Sequence, residues 1–396
     1  MNGAPQQIKE KWGSGMHIVA DPNIAAVAEA FSDLGDVQLV PGREWTPSLV
    51  RHADVLLVRS VTPVDAGLLD DSRVRFVGTA TSGVDHIDRD YLARRDIAFA
   101  AAPGSNAQAV AEYVASAVLV LAEARGLRLT ETTAGVIGGG RVGSRVVRLF
   151  SALGIRCLVN DPPLADTSGD ARYRPLDEAL AADIVTLHVP LASQGPYPTR
   201  GLIGREALSR MKSDVILINT ARGGIVDEST LKQRLARQDH MATVIDCWEG
   251  EPHIDPELAS RSTLSTPHIA GYSADAKLRA TSMLHAAACE LFAIPGRWSA
   301  SSPMGREIAL VSHSPEEAQR EAVLLAYDVR EDDRALRACL SGAGGALGRS
   351  FDALRANYRE RREFSAHAVR FGPSAAALHA VLADLGFRGG SAPAPH

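Results

Sequence analysis

From His17 onward, short apolar runs alternate with stretches of helical periodicity. His17-Ile18-Val19-Ala20 and Val37-Gln38-Leu39-Val40 read as strands, with Ile24 to Leu34 as a helix between them. Ala53 to Val58 and Val74 to Val77 are two further candidates for buried strands. After Arg128 the pattern starts again: Ala134-Gly135-Val136-Ile137, Ile155 to Asn160, Asp183 to Val189, Val215 to Asn219 and Ala242 to Asp246 read as strands. Val142 to Leu153 reads as a helix following the first of these. Such alternation predicts α/β architecture with parallel sheets covered on both faces. Two long helices stand out. Ala107 to Ala124, with Asn106 as its N-cap, is apolar around most of its surface and is expected to be buried between domains. Ala274 to Phe292 is the other.

This order implies a discontinuous first domain, 16–106 and 270–296, with a nucleotide-binding domain inserted at 107–269. Trp298 to Arg306 contains Ser and Pro and reads as a linker. Ile308 to Leu310 and Glu321 to Val329 then open a smaller, arginine-rich α/β segment over 305–388. The polar start, 1–15, reads as an extension, and 389–396 as a flexible tail.

Composition narrows the classes. A chain of 396 residues suits two or three domains, and 45% apolar with 22% charged residues suits a soluble globular protein. The formal net charge of -5 gives no global attraction to nucleic acid or an anionic membrane. The four cysteines lie far apart without a CxxC pair, so no zinc site or disulfide framework is expected, and a reduced cytoplasmic chain is the default. No apolar run of transmembrane length and no signal peptide stand out.

The run Gly138-Gly139-Gly140-Arg141-Val142-Gly143 follows a strand and opens a helix, the context that makes a GxGxxG pattern informative. Gly138 would make the tight turn, Gly140 would admit a pyrophosphate, and Gly143 would let helix and strand pack closely. Asp161 ends the next strand, where a carboxylate can accept from ribose hydroxyls and repel a 2′-phosphate, so NAD is expected rather than NADP.

Three residues further on have the chemistry to oxidise a hydroxy acid. Arg222 lies in Ile218-Asn219-Thr220-Ala221-Arg222-Gly223-Gly224, Glu251 in Asp246-Cys247-Trp248-Glu249-Gly250-Glu251-Pro252, and His268 in Thr266-Pro267-His268-Ile269-Ala270-Gly271-Tyr272. His268 can take the hydroxyl proton, Glu251 can orient and charge-stabilise the imidazole, and Arg222 can hold a carboxylate. Taken singly, each has a plainer reading as a structural His, a turn or a surface ion pair. Their order and settings, not any one of them, carry the inference.

These motifs resemble the D-isomer-specific 2-hydroxyacid dehydrogenases over roughly Ile18 to Phe292. The resemblance implies two Rossmann- or flavodoxin-like domains with a cleft between them, and Arg222, Glu251 and His268 as the catalytic set. It also places Asp246 on the nicotinamide carboxamide and Thr220, Ala221, Arg222 and Gly271 along the cofactor, with Arg141 and Val142 in the fingerprint loop. Val189 stands where a Thr is expected, leaving only a backbone contact there.

A narrower branch of the family is matched by Val58-Arg59-Ser60-Val61-Thr62, Phe76 to Gly83, Trp248 to Pro252, His268 to Tyr272, Tyr327 to Arg330 and Asn357 to Glu363. That match implies oxidation of 4-phospho-D-erythronate in pyridoxal phosphate synthesis, and a C-terminal α/β domain that makes a homodimer. Ser60 and Thr81 would touch substrate and Tyr272 would close its pocket. Arg59, or else Arg361 or Arg362, would hold the substrate phosphate. Another 2-hydroxyacid dehydrogenase (phosphoglycerate or hydroxypyruvate type) and an NAD-sensing corepressor-like protein remain the rival readings.

Overall fold

The computed structural model describes residues 15–237, 240–301, 304–312, 314–340, 345–370 and 376–389. The extension expected over 1–15 and the tail expected over 389–396 lie outside these residues, apart from their inner ends Gly15 and Gly389. Gly389 is in a strand paired with Val369 and is not tail. The chain divides into two compact units, Met1–Asn106 with Ala274–Pro303, and Ala107–Ser273 with Met304–His396.

In the first unit, β1 (Met16–Ala20), β2 (Gly35–Leu39), β3 (Val55–Val58), β4 (Phe76–Thr79) and β5 (Ala98–Ala101) form a parallel sheet ordered β2-β1-β3-β4-β5. Every residue of β3 and β4 is buried, which is why β3 is apolar without alternation and β4 carries only the small Gly78 and the buried Thr79 besides Phe76 and Val77. β2 is an edge strand with exposed positions, and it tolerates Asp36 and Gln38. β5 is mostly alanine and gives no strand signal in the sequence; pairing with β4 makes it one. The helix expected over Ile24 to Leu34 is shorter, Val27–Phe31. Asp21 Oδ1 accepts from Asn23 N at 2.8 Å and Ala26 has φ 53°, so a turn occupies the expected first helical turn.

In the second unit, β6 (Thr133–Ile137), β7 (Arg156–Asn160), β8 (Ile184–Leu187), β9 (Ile216–Asn219), β10 (Ala242–Ile245) and β11 (Leu264–Ser265) form a parallel sheet ordered β11-β10-β9-β8-β6-β7. β6 is flanked by β7 and β8, so the connections leave it in opposite directions. In open α/β sheets the crevice at the carboxyl ends of such a pair binds ligands, and the glycine run begins at that end of β6. The helix Ala107–Arg125 is long and apolar enough to cross a membrane, contrary to the sequence reading, but 78% of that span is buried inside the fold.

The C-terminal segment belongs to this second unit. It contains β12 (Glu307–Ala309), β13 (Ala368–Arg370) and β14 (Arg388–Gly389) in a parallel sheet, with helices Pro315–Ala326, Val329–Arg337, Gly345–Ala356 and Ala376–Leu385. Ser116 Oγ donates to Tyr327 O at 2.9 Å, and Asp333 Oδ1 accepts from Ser265 N at 2.8 Å. The later crossing between units falls at Ser273/Ala274, beyond the 269/270 boundary read from the sequence. The reason is local. Ala270 N donates to Asp246, Ala270 O accepts from Arg361, and Ser273 Oγ donates to Glu363, all within the second unit.

Candidate active site

The glycine run shapes a cradle. Gly138 has φ 97°, a conformation L side chains rarely adopt. A Cβ on Gly143 would lie 1.8 Å from Gly138 O, so only glycine lets the helix Gly143–Ala152 start this close to the turn. A Cβ on Gly140 would meet nothing within 4 Å. That open space beside a helix N-terminus suits a pyrophosphate. Asp161 Oδ2 accepts from Gly139 N at 2.8 Å, and Oδ1 accepts from Leu164 N at 3.0 Å, capping the helix Pro162–Ser168. Asp161 therefore has a structural role as well; a carboxylate still offers further lone pairs to ribose hydroxyls. Beyond β8, burial pushes His188 down to about 3, so it is neutral. It lies against Thr186 at 2.9 Å and Thr220 at 3.5 Å, which joins the Val189 and Thr220 loops. The cradle fits a dinucleotide.

The reacting groups follow β9, β10 and β11. Asn219, ending β9, donates from Nδ2 to Arg222 O and to Cys247 O, both at 3.1 Å. A Cβ on Gly223 would lie 2.0 Å from Trp248 O, so the Arg222 loop presses directly on the loop that carries Glu251. Arg222 is half-buried and its NH1 donates to Ala221 O at 2.7 Å.

Glu251 Oε1 accepts from Trp248 N at 2.8 Å, and Oε2 lies 2.8 Å from His268 Nδ1. The carboxylate thus fixes the proton on Nδ1 and leaves Nε2 to exchange a proton with substrate. Burial pushes Glu251 upward, but the His268 charge and hydrogen bond, the Trp248 amide and the Arg355 charge outweigh it, and the group is held below the usual carboxylate range. Burial alone would depress His268. The Glu251 carboxylate, through its charge and its hydrogen bond, opposes this and raises it above its ordinary value. Burial also raises the Cys247 thiol, which is therefore neutral near pH 7; Glu251 is the charge that stabilises the imidazolium.

Asp246 is 1% exposed. Its Oδ1 accepts from Thr266 Oγ1 at 2.7 Å and Ile269 N at 2.8 Å, and Oδ2 from Ala270 N at 3.0 Å. It braces the turn on which His268 sits at φ 56°. Sequence spacing gave no hint of this bracing. Gly271 and Tyr272 follow in the same turn, and the Tyr272 ring meets that of Tyr358 edge-on, 5.7 Å between centroids.

The other substrate candidates lie in the first unit. Ser60 is exposed. Thr81 Oγ1 donates to Gly83 O at 2.7 Å, shaping its own loop. Arg59 NH1 lies 3.9 Å from the buried Asp21 carboxylate. Arg361 is not available to a ligand. It is 3% exposed and donates to Ala270 O at 3.0 Å and Ala109 O at 2.5 Å, with its guanidinium 3.6 Å from the Tyr327 ring centroid. Arg362 is 8% exposed. Neither is on a helix; both lie between the Gly345–Ala356 helix and β13. Sequence reasoning missed Arg355, whose guanidinium carbon lies 5.9 Å from the Tyr272 ring centroid.

Comparison with known proteins agrees with this geometry. Residues 105–270 match the model for the D-isomer specific 2-hydroxyacid dehydrogenase, NAD binding domain, and 302–386 match a domain of unknown function (DUF3410). The chain is 46% identical to the erythronate-4-phosphate dehydrogenase of Salinibacter ruber, covering 89% of this chain and 94% of the relative. It is 43% identical to that of Cronobacter sakazakii, covering 94% and 98%. Among solved structures, D-lactate dehydrogenase from Aquifex aeolicus complexed with NAD and lactic acid is 25% identical, with a TM-score of 0.58 over 70% of this chain and 96% of that one. NAD-bound 3-phosphoglycerate dehydrogenase from Entamoeba histolytica shares the fold at 21% identity, TM-score 0.60, over 72% and 99%. The chain belongs to the erythronate-4-phosphate dehydrogenase family, within the D-isomer-specific 2-hydroxyacid dehydrogenases.

Proposed function

We propose that this protein oxidises 4-phospho-D-erythronate at C2, with NAD as acceptor, to 2-oxo-3-hydroxy-4-phosphobutanoate, a step of pyridoxal phosphate synthesis. The observation that carries the reading is the Glu251–His268 pair, joined at 2.8 Å and set on strand ends of the unit that bears the dinucleotide cradle. The relatives' shared name gives the substrate.

NAD, when bound, accepts the hydride from C2. The protein's own residues do the rest. Neutral His268 takes the C2 hydroxyl proton at Nε2, and Glu251 stabilises the imidazolium that results. Arg222 holds the C1 carboxylate and the oxygen that becomes a carbonyl. Asp246 keeps the His268 turn in place through the Ile269 and Ala270 amides. Asp161 meets the adenosine ribose, Gly138, Gly140 and Gly143 with Arg141 and Val142 hold the pyrophosphate, and Val189, Thr220, Ala221 and Gly271 line the remaining cofactor. Ser60, Thr81 and Tyr272 contact substrate in this reading, on the strength of the family match.

The protein acts as a cytoplasmic homodimer joined through the 305–388 segment. Exposed apolar side chains within it, Val311 at 77% and Leu325 at 42%, and Met304 at 73% just before it, support an assembly surface. Four free cysteines support a reducing compartment. Light scattering that gives one chain's mass would remove the dimer.

The test is turnover of 4-phospho-D-erythronate by purified protein with NAD, with a 2-oxo acid present to reoxidise retained NADH. 3-Phosphoglycerate and His268→Ala protein run in parallel. Turnover of the erythronate ester alone, lost in the variant, is the expected result. Turnover of 3-phosphoglycerate instead would keep the chemistry and discard the substrate.

A further inference from the structure

Arg355 lies on the helix Gly345–Ala356, in the C-terminal segment, yet it reaches the catalytic turn. Its guanidinium carbon is 5.9 Å from the ring centroid of Tyr272, a residue of the His268 turn, and it hydrogen-bonds the Tyr272 side chain. Its charge also acts on Glu251, which itself binds His268 Nδ1. The same helix packs close to the Glu251 loop, since a Cβ on Gly348 would lie 2.7 Å from His253 Nδ1. A cation thus stands beside the general base pair, delivered by an element that the catalytic motifs do not include.

Arg355 is incompletely satisfied. Its Nε is buried and has no acceptor among the described residues. A buried guanidinium N–H without a partner is costly, and such groups need a reason. Burial tends to depress the group, but Tyr272, Glu251 and Asp352 outweigh it, so the charge is retained. The Arg361 Nε is likewise buried without an acceptor, but both of its terminal nitrogens are spent on Ala270 O and Ala109 O.

We propose that Arg355 holds the phosphate of the substrate and is a specificity-determining residue for the phosphorylated acid. This rests on the function proposed above. The substrate has two anions, and Arg222 accounts for the C1 carboxylate. The phosphorus lies four bonds from C2 on the other side, so a second cation beside the His268 turn is required. A guanidinium can match two phosphate oxygens at once, which an ammonium does not. Arg59, the other candidate, already lies near the Asp21 carboxylate.

The experiment compares Arg355→Ala and Arg355→Lys with the unaltered enzyme on 4-phospho-D-erythronate and on unphosphorylated D-erythronate. The alanine variant is expected to lose on the order of ten- to a hundredfold in kcat/KM for the ester, the loss typical of a charged hydrogen-bonding group, through KM. Its kcat/KM for D-erythronate, which has no phosphate to lose, should fall at least several-fold less than that for the ester. Lysine should recover part of the loss. Millimolar inorganic phosphite should stimulate the unaltered enzyme on D-erythronate, stimulate the lysine variant less and fail to stimulate the alanine variant, so a folded lysine variant alone still tests the assignment. Equal losses on both substrates would overturn the assignment and make Arg355 a positioning residue for Glu251. So would an unaltered enzyme that neither prefers the ester nor responds to phosphite. If the unaltered enzyme turns over neither compound, the parent function fails instead, which separates the two failures.

Discussion

Replacing Glu251 with Gln removes one charge while leaving an oxygen for His268 Nδ1 to donate to. The structure sets the size of the effect. Both Glu251 oxygens lie close to Nδ1, at 2.8 and 3.1 Å. A charged hydrogen bond of this kind contributes about 1.5–3 kcal/mol, which is about 1–2 pKa units at about 1.4 kcal/mol each. In the unaltered protein His268 is raised above its ordinary value of 6.5. Oxidation needs the neutral imidazole, so kcat/KM should climb with pH through an inflection above 6.5. In Glu251→Gln the burial remains and the carboxylate does not. The inflection should move down by about 1–2 units, and the plateau should fall because the imidazolium is less stabilised. The assay is initial-rate NADH formation across the pH range, with kcat/KM fitted at each pH. Stability gives a second reading. The depressed Glu251 contributes stability above its unfolded value near 4.5 that is lost as pH falls through the folded value. The raised His268 contributes below its unfolded value near 6.5, lost as pH rises through the folded one. The Gln variant should therefore be most destabilised between those two values. An unshifted inflection, or one that moved upward, would refute the assignment of Glu251 as the charge that tunes the base.

Two glycines make a contrasting pair: Gly140→Ala should fold normally but weaken NAD in a fluorescence titration, because its Cβ enters only ligand space, whereas Gly143→Ala should lose about 1–3 kcal/mol of stability, because its Cβ strikes Gly138 O. Asp246→Asn should lower the urea midpoint by about 1–3 kcal/mol equivalents, since an amide nitrogen must face N–H and O–H donors from Thr266, Ile269 and Ala270, and kcat should fall with it. Arg361→Met should cost about 2–6 kcal/mol, because the buried Ala270 and Ala109 carbonyls lose their donors at about 1–3 kcal/mol each. Burial and Glu363 already push Glu112 up to about 8, so stability should fall as pH rises from the ordinary 4.5 through that value, and fall further in the variant, as followed by thermal melts against pH.

The legible parts of this chain are those whose signal is local. β3, β4 and β8 are buried throughout, and their apolar runs show it. The glycine run and the Arg222 and Glu251 motifs are legible because each follows a strand that the pattern already marks, whereas His268 follows the two-residue β11, too short to show a pattern, and is legible only through its Thr266-Pro267-His268 setting. Other features depend on partners far along the chain. β5 is a strand because β4 pairs with it, not because Ala98–Ala101 favours one. Arginine in a polar stretch reads as solvated, yet Arg361 is inside, held by carbonyls from residues 109 and 270. Arg355 is another such case, since nothing near it in sequence points to Tyr272.

The His268 turn shows why the C-terminal segment matters to chemistry irrespective of assembly. A non-glycine residue at φ 56° costs about 1–3 kcal/mol and persists only where its surroundings over-determine it. Part of that constraint is internal to the sheet: Asp246 takes the Ile269 and Ala270 amides, and Trp248 Nε1 donates to Thr266 O at 2.9 Å. The rest comes from beyond residue 304. Asp333 takes the Ser265 amide, Arg361 takes Ala270 O, and Glu363 takes the Ser273 hydroxyl. These three contacts run along the turn from its entry at β11 to its exit at the unit boundary. The segment therefore fixes the stretch that presents the imidazole, whatever surface it also offers to a second chain.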